Sequence, residues 1–368
     1  MMHSEIDCLV VGAGPAGLGA ATEAARYGAR VLAVDENNRP GGQLFKQIHK
    51  FFGSQDHMAG TRGFRIGELL LEQARDLGVR VLLDTLAWGI FEDNVVAIRR
   101  NNQSYSIGAK TVVLATGATE NALSFAGCTR PGVMTAGAAQ TMINIHQVLP
   151  GKNILMVGTG NVGLIVSYQL MQAGAEITAI VDALPEVGGY DVHAGKIRRA
   201  GVPFHLQHTI VEARGNPAVV SAVLAPVDEQ FRPQMDQAFE VQADTVCLAV
   251  GLAPRIDLAL LAGCKTQYVP VLGGHLPVHS RLLETRENLF VAGDSAGIEE
   301  ASTALEEGKL AGTAVAIRLG LLENGQGRRE LDRIDERLAN LRSGCFGQSR
   351  QSAKEDVVLK GCKYYGYK

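Results

Sequence analysis

The sequence predicts an α/β chain built from two parallel-sheet units, one inserted into the other, and three observations carry this reading. A G-x-G-x-x-G turn follows an apolar run twice, at residues 12–17 and 158–163. Each turn leads through a helical stretch and a glycine to a second apolar run ending on an acid, Asp35 or Asp182. Each unit also ends with a matching strand, Thr111-Val112-Val113-Leu114-Ala115 before Thr116-Gly117 and Thr245-Val246-Cys247-Leu248-Ala249 before Val250-Gly251. Strands alternating with helices in this way imply a parallel, doubly wound sheet in each unit.

The elements follow in order. Ile6-Asp7-Cys8-Leu9-Val10-Val11 is a short apolar strand that feeds Gly12-Ala13-Gly14-Pro15-Ala16-Gly17. Gly12 permits the tight turn, Gly14 lets a pyrophosphate approach the backbone, and Gly17 lets the next helix pack closely on the strand. That helix, expected over residues 15–27, points its unpaired N–H groups and positive dipole end at the pyrophosphate, and Gly28 stops it. Residues 30–34 form the second strand, with Asp35 and Glu36 at its end, where an acid accepts hydrogen bonds from a ribose. This bracketing makes the unit a dinucleotide-binding one.

Pro40-Gly41-Gly42-Gln43-Leu44 is a turn that brings backbone close to whatever lies beyond the pyrophosphate. Residues 45–65, with His49, Lys50, Phe51, Phe52, His57 and Arg62, are irregular and read equally as a wall of a site or as a surface loop. A helix is expected over 64–77, ended by Gly78, then strands over 79–91 and 95–99 joined at Glu92-Asp93-Asn94. The second unit repeats the opening: Asn153-Ile154-Leu155-Met156-Val157, the turn Gly158-Thr159-Gly160-Asn161-Val162-Gly163, a helix to about residue 173, Gly174, and a strand over 176–181 ending at Asp182. Two such units imply two nucleotide sites facing one another, by which a nicotinamide can reduce a flavin; the alternative is a structural copy that binds nothing. The last strand, over 288–292, delivers Gly293-Asp294 to a turn before a helix over 301–319. Asp294 suits a polyol hydroxyl or caps the turn. Residues 320–368 carry a charged helix over 328–341 and then a Gly-, Ser-, Lys- and Tyr-rich tail without core periodicity, read as peripheral or as a partner contact.

Composition excludes several classes. The chain has 368 residues, 46% hydrophobic and 20% charged, with a net charge of -3, which offers no electrostatic argument for nucleic acid. Its 43 glycines match several turns that admit positive φ or a close cofactor. No basic segment followed by an apolar stretch opens the chain and no run reaches membrane-spanning length, so a cytoplasmic location is expected. The cysteines at 8, 128, 247, 264, 345 and 362 form no C-x-x-C pair and no metal-ligand cluster.

Together, residues 12–17, Asp35, Gly41-Gly42-Gln43-Leu44, Ala115-Thr116-Gly117, the inserted second turn and Gly293-Asp294 resemble the flavoproteins with two Rossmann-like domains related to thioredoxin reductase, over roughly residues 5–320. The resemblance implies an FAD domain of residues 1–121 and 252–325, an inserted NAD(P)-type domain of 122–251, and a peripheral C-terminal part of 326–368. It implies that Asp35 holds the adenosine ribose, Gly42, Gln43 and Leu44 line the ribityl chain and ring, Asp294 meets the ribityl chain, and Thr303, Ala304 and Leu305 lie near the flavin pyrimidine. Gly12, Gly14, Pro15, Ala16, Gly17, Glu36, Leu86, Thr116, Gly117 and Gly293 complete the FAD-binding candidates. Gly158, Gly160, Asn161, Val162, Gly163 and Asp182 are the candidates for NAD, or another adenine nucleotide, at the second site. One departure is informative: the redox C-x-x-C of thioredoxin reductases is replaced here by Gly132-Val133-Met134-Thr135-Ala136-Gly137-Ala138-Ala139-Gln140, so no dithiol shuttles electrons there.

That replacement stretch, with Arg130-Pro131 before it, resembles the alpha or A components of multi-subunit amino-acid dehydrogenases: opine oxidase A, hydrogen cyanide synthase B, dye-linked proline dehydrogenase alpha and part of sarcosine oxidase alpha. Trp88-Gly89-Ile90-Phe91 and residues 40–44 fit the same group. Some of its members carry a cysteine-rich C-terminal extension for an iron-sulfur cluster, whereas this chain has only Cys345 and Cys362 there, so a separate ferredoxin-like subunit would have to supply a cluster if one is needed. The expectation is an FAD-containing component of a heteromeric dehydrogenase or oxidase for an amino acid or secondary amine, joined by a second flavoprotein subunit. The alternatives are a stand-alone NADH-dependent flavin reductase and a nucleotide-binding scaffold. Asp182, with no Arg close behind it, favours NADH over NADPH. No catalytic base is nominated: histidine is the residue type suited to proton transfer at neutral pH, but His49, His57, His193, His205 and His208 read as structural or exposed.

Overall fold

The computed structural model describes residues 6–51 and 54–365, so Phe52 lies outside the described residues, as do the side chains of Cys345 and Cys362. The chain divides into two compact units, residues 1–119 with 253–368 and residues 120–252. The stretch expected to be peripheral, 326–368, therefore clusters with the first unit. Among the described residues no helix is long and apolar enough to cross a membrane.

The first unit opens with β1 (Ile6–Val11), α1 (Pro15–Arg26), β2 (Val31–Val34), α2 (Gly63–Asp76), β3 (Arg80–Leu82), β4 (Leu86–Ile90), β5 (Val95–Arg100) and β6 (Gln103–Leu114). β1 lies between β2 and the far half of β6, all parallel, with Cys8 level with Val31 and Thr111. The near half of β6 pairs antiparallel with β5, and β5 with β4. The single strand expected over 79–91 is thus two, because the chain turns at Asp84, which adopts a φ of 49°. There the Asp84 and Thr85 amides donate to the carbonyls of Asn37 and Asp35, binding the turn to the end of β2.

Short strands β7 (Ala118–Glu120) and, later, β16 (Leu252–Pro254) lie where the chain passes between units. The second unit contains β8 (Val133–Thr135), α3 (Ala136–Thr141), β9 (Asn153–Val157), α4 (Asn161–Gln172), β10 (Glu176–Asp182), α5 (Asp191–Arg199), β11 (Phe204–Leu206), β12 (His208–Arg214), β13 (Ser221–Pro226), β14 (Phe239–Gln242) and β15 (Thr245–Leu248). Its parallel sheet has the order β11-β10-β9-β15-β8, and β12-β13-β14 form an antiparallel sheet. The apolar sides of β9, β10 and β15 bury Ile154, Met156, Ile180 and Cys247 against Leu164 and Leu170 of α4. A π-helical turn, Met142–His146, follows α3.

The chain then returns to the first unit with α6 (Asp257–Leu261), β17 (Thr266–Val269), β18 (Gly274–Pro277), β19 (Glu284–Arg286), β20 (Leu289–Val291), α7 (Ala301–Arg318), α8 (Asn324–Leu341) and α9 (Cys345–Tyr365). β20 extends the parallel sheet beyond β6, level with Val112-Val113-Leu114. α1 and α7 meet backbone to backbone. A Cβ on Gly308 or Gly312 would collide with the carbonyl of Ala16 or at Ala20, and one on Gly19 would lie 2.8 Å from the Leu305 oxygen. Small residues at these positions bring residues 303–305 down onto the first turns of α1. The expected tail is a helix instead. α9 buries Val357 against Val269, Leu272 and Leu276, with Ala353 packed alongside, and Gly361 lies against the His279 backbone. Residues 353, 357 and 361 form one narrow stripe at helical spacing, which the polar composition around it conceals.

Candidate cofactor sites

The first glycine turn is shaped by contacts only glycine allows. Gly12 has a φ of 109°, and a side chain there would overlap the Ala115 carbonyl. A Cβ on Gly17 would overlap the Gly12 oxygen, so the helix starts directly on the turn. Pro15 occupies the first turn of α1 and no side chain caps that end, so its N–H groups and dipole face outward from β1. Gly42, with a φ of 53°, faces Gly14; a Cβ on Gly42 would stand 3.0 Å from the Gly14 Cα. The amide of Gly41 donates to the Ala13 carbonyl at 2.8 Å, fixing this second glycine turn over the first. The result is a cradle of bare backbone beside a helix N-terminus, the donor set that suits a pyrophosphate.

Asp35, 7% exposed, is engaged within the chain. Its Oδ2 accepts from the Ala13 amide at 2.6 Å and its Oδ1 from the amide and the side-chain Nδ2 of Asn37, each at 2.8 Å. Each carboxylate oxygen has two lone pairs, which leaves Oδ2 with one for a ribose hydroxyl. Glu36 is exposed and pairs with Arg255 Nη1 at 2.5 Å. The Arg255 backbone in turn holds Thr116-Gly117: its carbonyl accepts from the Thr116 hydroxyl at 2.6 Å and its amide donates to the Gly117 carbonyl at 2.9 Å.

Gly293, with a φ of 69°, sits against Ala16 at the start of α1, where an added Cβ would be 2.7 Å from that of Ala16. Thr303, Ala304 and Leu305 are buried on α7. Asp294 follows Gly293 in a 3-10 turn, Gly293–Ala296, and burial pushes its carboxyl up to about 6. Leu44 is buried in the core while Gln43 is exposed. The structure thus gathers residues 12–17, Gly42, Gly293 and 303–305 around the first turn of α1. Leu86 is exposed at the start of β4 opposite Arg99, one residue after Thr85, whose amide donates to the Asp35 carbonyl at 2.8 Å.

The irregular stretch 45–65 packs on the same region. His57 lines a small internal cavity with Pro15, Leu44, Phe51 and Leu305. Its Nδ1 meets the Ser54 hydroxyl at 2.9 Å and its Nε2 meets Glu306 Oε1 at 3.2 Å. Burial alone would push Glu306 up, but hydrogen bonds from His57, Lys309 and Arg337, with the charge of Lys309, outweigh it and hold the carboxyl down to about 2.

The second turn repeats the geometry and adds side chains to it. Gly158, with a φ of 112°, would collide with the Ala249 carbonyl if it carried a Cβ, and Gly163 with the Gly158 oxygen. Asp182 Oδ2 accepts from the Thr159 amide at 2.7 Å and hydroxyl at 2.6 Å, and Oδ1 accepts from the Leu184 amide at 3.0 Å. The Thr159 hydroxyl accepts from the Gly188 amide at 3.0 Å, and Asn161 Oδ1 accepts from the Tyr190 amide at 2.9 Å. Gly160 has open space around its Cα, and Val162 is exposed on the first turn of α4.

Among the described residues no cluster of three metal-ligating side chains occurs, and the described cysteines 8, 128, 247 and 264 are free. Burial pushes the thiols of Cys8 and Cys247 up to about 12, so both behave as small apolar groups. Of the histidines, His49 stacks on Phe51 with ring centroids 5.5 Å apart, and burial lowers the pKa of His193 and His205. Sequence reasoning missed four charged residues behind the Gly293 turn, Glu299, Glu307, Arg342 and Lys354. The signal was present: Glu306 and Glu307 stand together in a helix otherwise rich in Ala and Gly, where only paired acids are buried.

Comparisons with known proteins show the family and the fold. Residues 6–308 match the family described as pyridine nucleotide-disulphide oxidoreductase. The A component of opine oxidase from Agrobacterium tumefaciens (strain Ach5) is 30% identical over 86% of this chain, which spans 66% of that protein's length. Among solved structures, the L-proline dehydrogenase of P. horikoshii superposes with a TM-score of 0.68 at 23% identity, covering 90% of this chain and 59% of that one. The thioredoxin reductase of T. acidophilum does so with 0.69 at 19% identity, covering 86% of this chain and 99% of that one. The two structural likenesses establish the two-unit Rossmann-like fold.

Proposed function

Since the chain belongs to the pyridine nucleotide-disulphide oxidoreductase family, and is an oxidoreductase of the flavoprotein class by that membership, we propose that it is the FAD-containing component of a heteromeric dehydrogenase or oxidase. Its substrate class is an amino acid or secondary amine of the proline, sarcosine, opine or glycine type. The observation that carries this is the backbone cradle at Gly14 and Gly42 beside an uncapped helix N-terminus, in a chain whose 132–140 stretch holds no cysteine. The relative named as the A component of opine oxidase supports the substrate class and the need for partners.

In this reading FAD would supply a redox centre that relays electrons within the assembly. The N-terminus of α1 and the Gly42 turn hold its pyrophosphate, Asp35 offers its remaining lone pair to the adenosine ribose, Asp294 takes a ribityl hydroxyl, and Thr303, Ala304 and Leu305 border the pyrimidine edge. A second flavoprotein subunit holds the amine-oxidising centre, and a ferredoxin-like iron-sulfur subunit is the candidate electron carrier. NAD or another adenine nucleotide at the second turn is the subordinate part of the proposal. Asp182 supports it, while the Thr159 hydroxyl and Asn161 Oδ1 accept from the amides of Gly188 and Tyr190 and tie that loop to the turn. The stand-alone NADH-dependent reductase is the weaker reading because the 131–140 stretch resembles components of multi-subunit dehydrogenases.

The test is to purify the chain alone and with a co-expressed second flavoprotein subunit, identify any released nucleotide, and follow dye reduction with proline, sarcosine, glycine and opines. The expected result is a yellow protein that turns over an amine only in the assembly. A colourless chain that cannot be reconstituted with FAD removes the cofactor reading. Full turnover by the isolated chain removes the heteromeric one, and rapid bleaching of the flavin by NADH selects the reductase.

A further inference from the structure

Four charged side chains form a buried cluster between the C-terminal helices and the Gly293 turn. Side-chain exposure is 5% for Glu299, 3% for Glu307, 9% for Arg342 and 6% for Lys354. Glu307 Oε1 accepts from Arg342 Nη2 at 2.6 Å and from Lys354 Nζ. Glu299 accepts from Arg342 Nε at 2.9 Å and Nη2 at 2.5 Å, and Lys354 Nζ lies 3.2 Å from it. Two acids and two bases therefore balance one another in charge, and Glu307, Arg342 and Lys354 also line a cleft with His279. The remaining carboxylate oxygen of Glu307 reaches out of the cluster and accepts from the Gly293 amide at 3.1 Å. At the far end of the same turn, a Cβ on Gly297 would stand 3.3 Å from the Lys354 Cε, so the lysine stem packs against Gly297. The turn that presents Asp294 is gripped at both ends, by Glu307 from α7 and by Lys354 from α9.

A buried ion cluster of this kind is a poor source of net stability, since well-packed apolar residues do as well or better, while loss of one member leaves an unpaired buried charge. Its geometry here does what apolar packing could not: it gives the Gly293 amide an acceptor and ties the orientation of the turn to α8 and α9. Resting on the FAD reading above, we propose that Glu307, Arg342 and Lys354 are positioning residues for the flavin, making the C-terminal helix pair part of the FAD site. Through the Gly293 amide and the Gly297 contact they fix where Asp294 stands toward the ribityl chain, and Lys354 balances the two carboxylates that would otherwise leave uncompensated negative charge behind that turn.

The test uses the full chain reconstituted with FAD and compares wild type with Lys354→Met, Lys354→Arg, Glu307→Gln and, as a control, Arg281→Met, which breaks the exposed pair between Arg281 and Asp335 of α8. FAD dissociation is measured by fluorescence and the flavin midpoint potential by dye equilibration, with circular dichroism as the check on folding. Lys354→Met is expected to bind FAD at least tenfold more weakly. It is also expected to disfavour the reduced flavin tenfold relative to the oxidised, a shift of about 30 mV to more negative potential for a two-electron couple. Lys354→Arg should restore most of both, and Arg281→Met should alter neither. Glu307→Gln keeps the contact to Gly293 but leaves Lys354 and Arg342 short of a charge, and serves if Lys354→Met does not fold. Folded variants with wild-type affinity and potential would overturn the positioning role, whereas wild-type protein that takes up no FAD would overturn the reading it rests on.

Discussion

The two glycine turns begin from one sequence pattern and are finished by different means. In the first, the variable positions are Ala13 and Pro15, which have no polar side chain, and the turn is held by backbone groups: Ala13 N to Asp35 and Gly41 N to Ala13 O. In the second, the same positions are Thr159 and Asn161, and both side chains bond to residues 188–190. The loops that do the covering also correspond, because Gly41-Gly42 and Gly188-Gly189 stand at the same interval after Asp35 and Asp182. Both turns spend one backbone donor on their acid, Ala13 N on Asp35 and Thr159 N on Asp182, but only in the second do side chains of the turn tie the loop over it. A repeated fingerprint therefore repeats the fold of the turn, while the side chains between the glycines set how the covering loop is held.

The sharpest way to break the comparison is to fill the closest contact in each unit. Gly17→Ala puts a methyl group into the Gly12 carbonyl and Gly163→Ala puts one into that of Gly158. Each should destabilise its own unit by about 1–3 kcal/mol, as overpacking does. Only Gly17→Ala should also abolish FAD retention, by roughly a hundredfold in affinity if ~3 kcal/mol is lost at the cradle. Equal loss of FAD from both variants, measured by equilibrium dialysis, would mean that the two turns are not functionally distinct.

The acids give the next largest difference. Asp35→Ala removes an acceptor from both the turn and the ribose and should weaken FAD by roughly 1–3 kcal/mol. Asp182→Ala should leave FAD affinity unchanged and lower the melting temperature instead. Within the second turn, Thr159→Val deletes a fully buried hydroxyl and strands the Gly188 amide, at a cost of about 1–2 kcal/mol in stability. Calorimetric titration of this variant with NADH tests the covering loop directly: opening the turn should not create a tighter NADH site than the wild type has.

Much of the first turn was legible because glycine has one physical meaning at each place. Gly12, Gly17 and Gly42 are required by a positive φ or by overlap with a carbonyl, and both facts follow from spacing alone. The hydrogen bonds of Thr159 and Asn161 were not legible, since nothing local says that a hydroxyl and an amide will meet a loop almost thirty residues on. The break at Asp84 was hidden by an apolar run that continues through it, and α9 by a composition that reads as a tail. The ionic cluster joins residues 299, 307, 342 and 354 across three elements, so its members carry no shared local pattern, although the paired acids of α7 mark where to look.

The smallest expected effect is one of pH, and it belongs to the first unit. Burial holds the Asp294 carboxyl at about 6 in the folded chain, against about 4 for an unperturbed aspartate. Below about pH 4 the group is protonated in both folded and unfolded chains and contributes nothing to the pH dependence. Between about 4 and 6 the unfolded chain has released this proton and the folded chain still binds it, so the unfolded state binds fewer protons and stability falls as pH rises. Above about 6 the penalty is complete and constant. Glu306 acts in the opposite sense and lower down: its carboxyl lies at about 2 in the fold, so its contribution is present above the ordinary glutamate range and is lost as pH falls toward 2. Asp294→Asn should therefore melt higher than wild type at pH 7 when free of FAD, with the advantage shrinking toward pH 4. The same substitution should weaken FAD, because the amide replaces a charged acceptor at the ribityl chain. An advantage that grows on acidification, or FAD affinity that is unaffected, would separate Asp294 from the site and leave the Gly293 turn as packing alone.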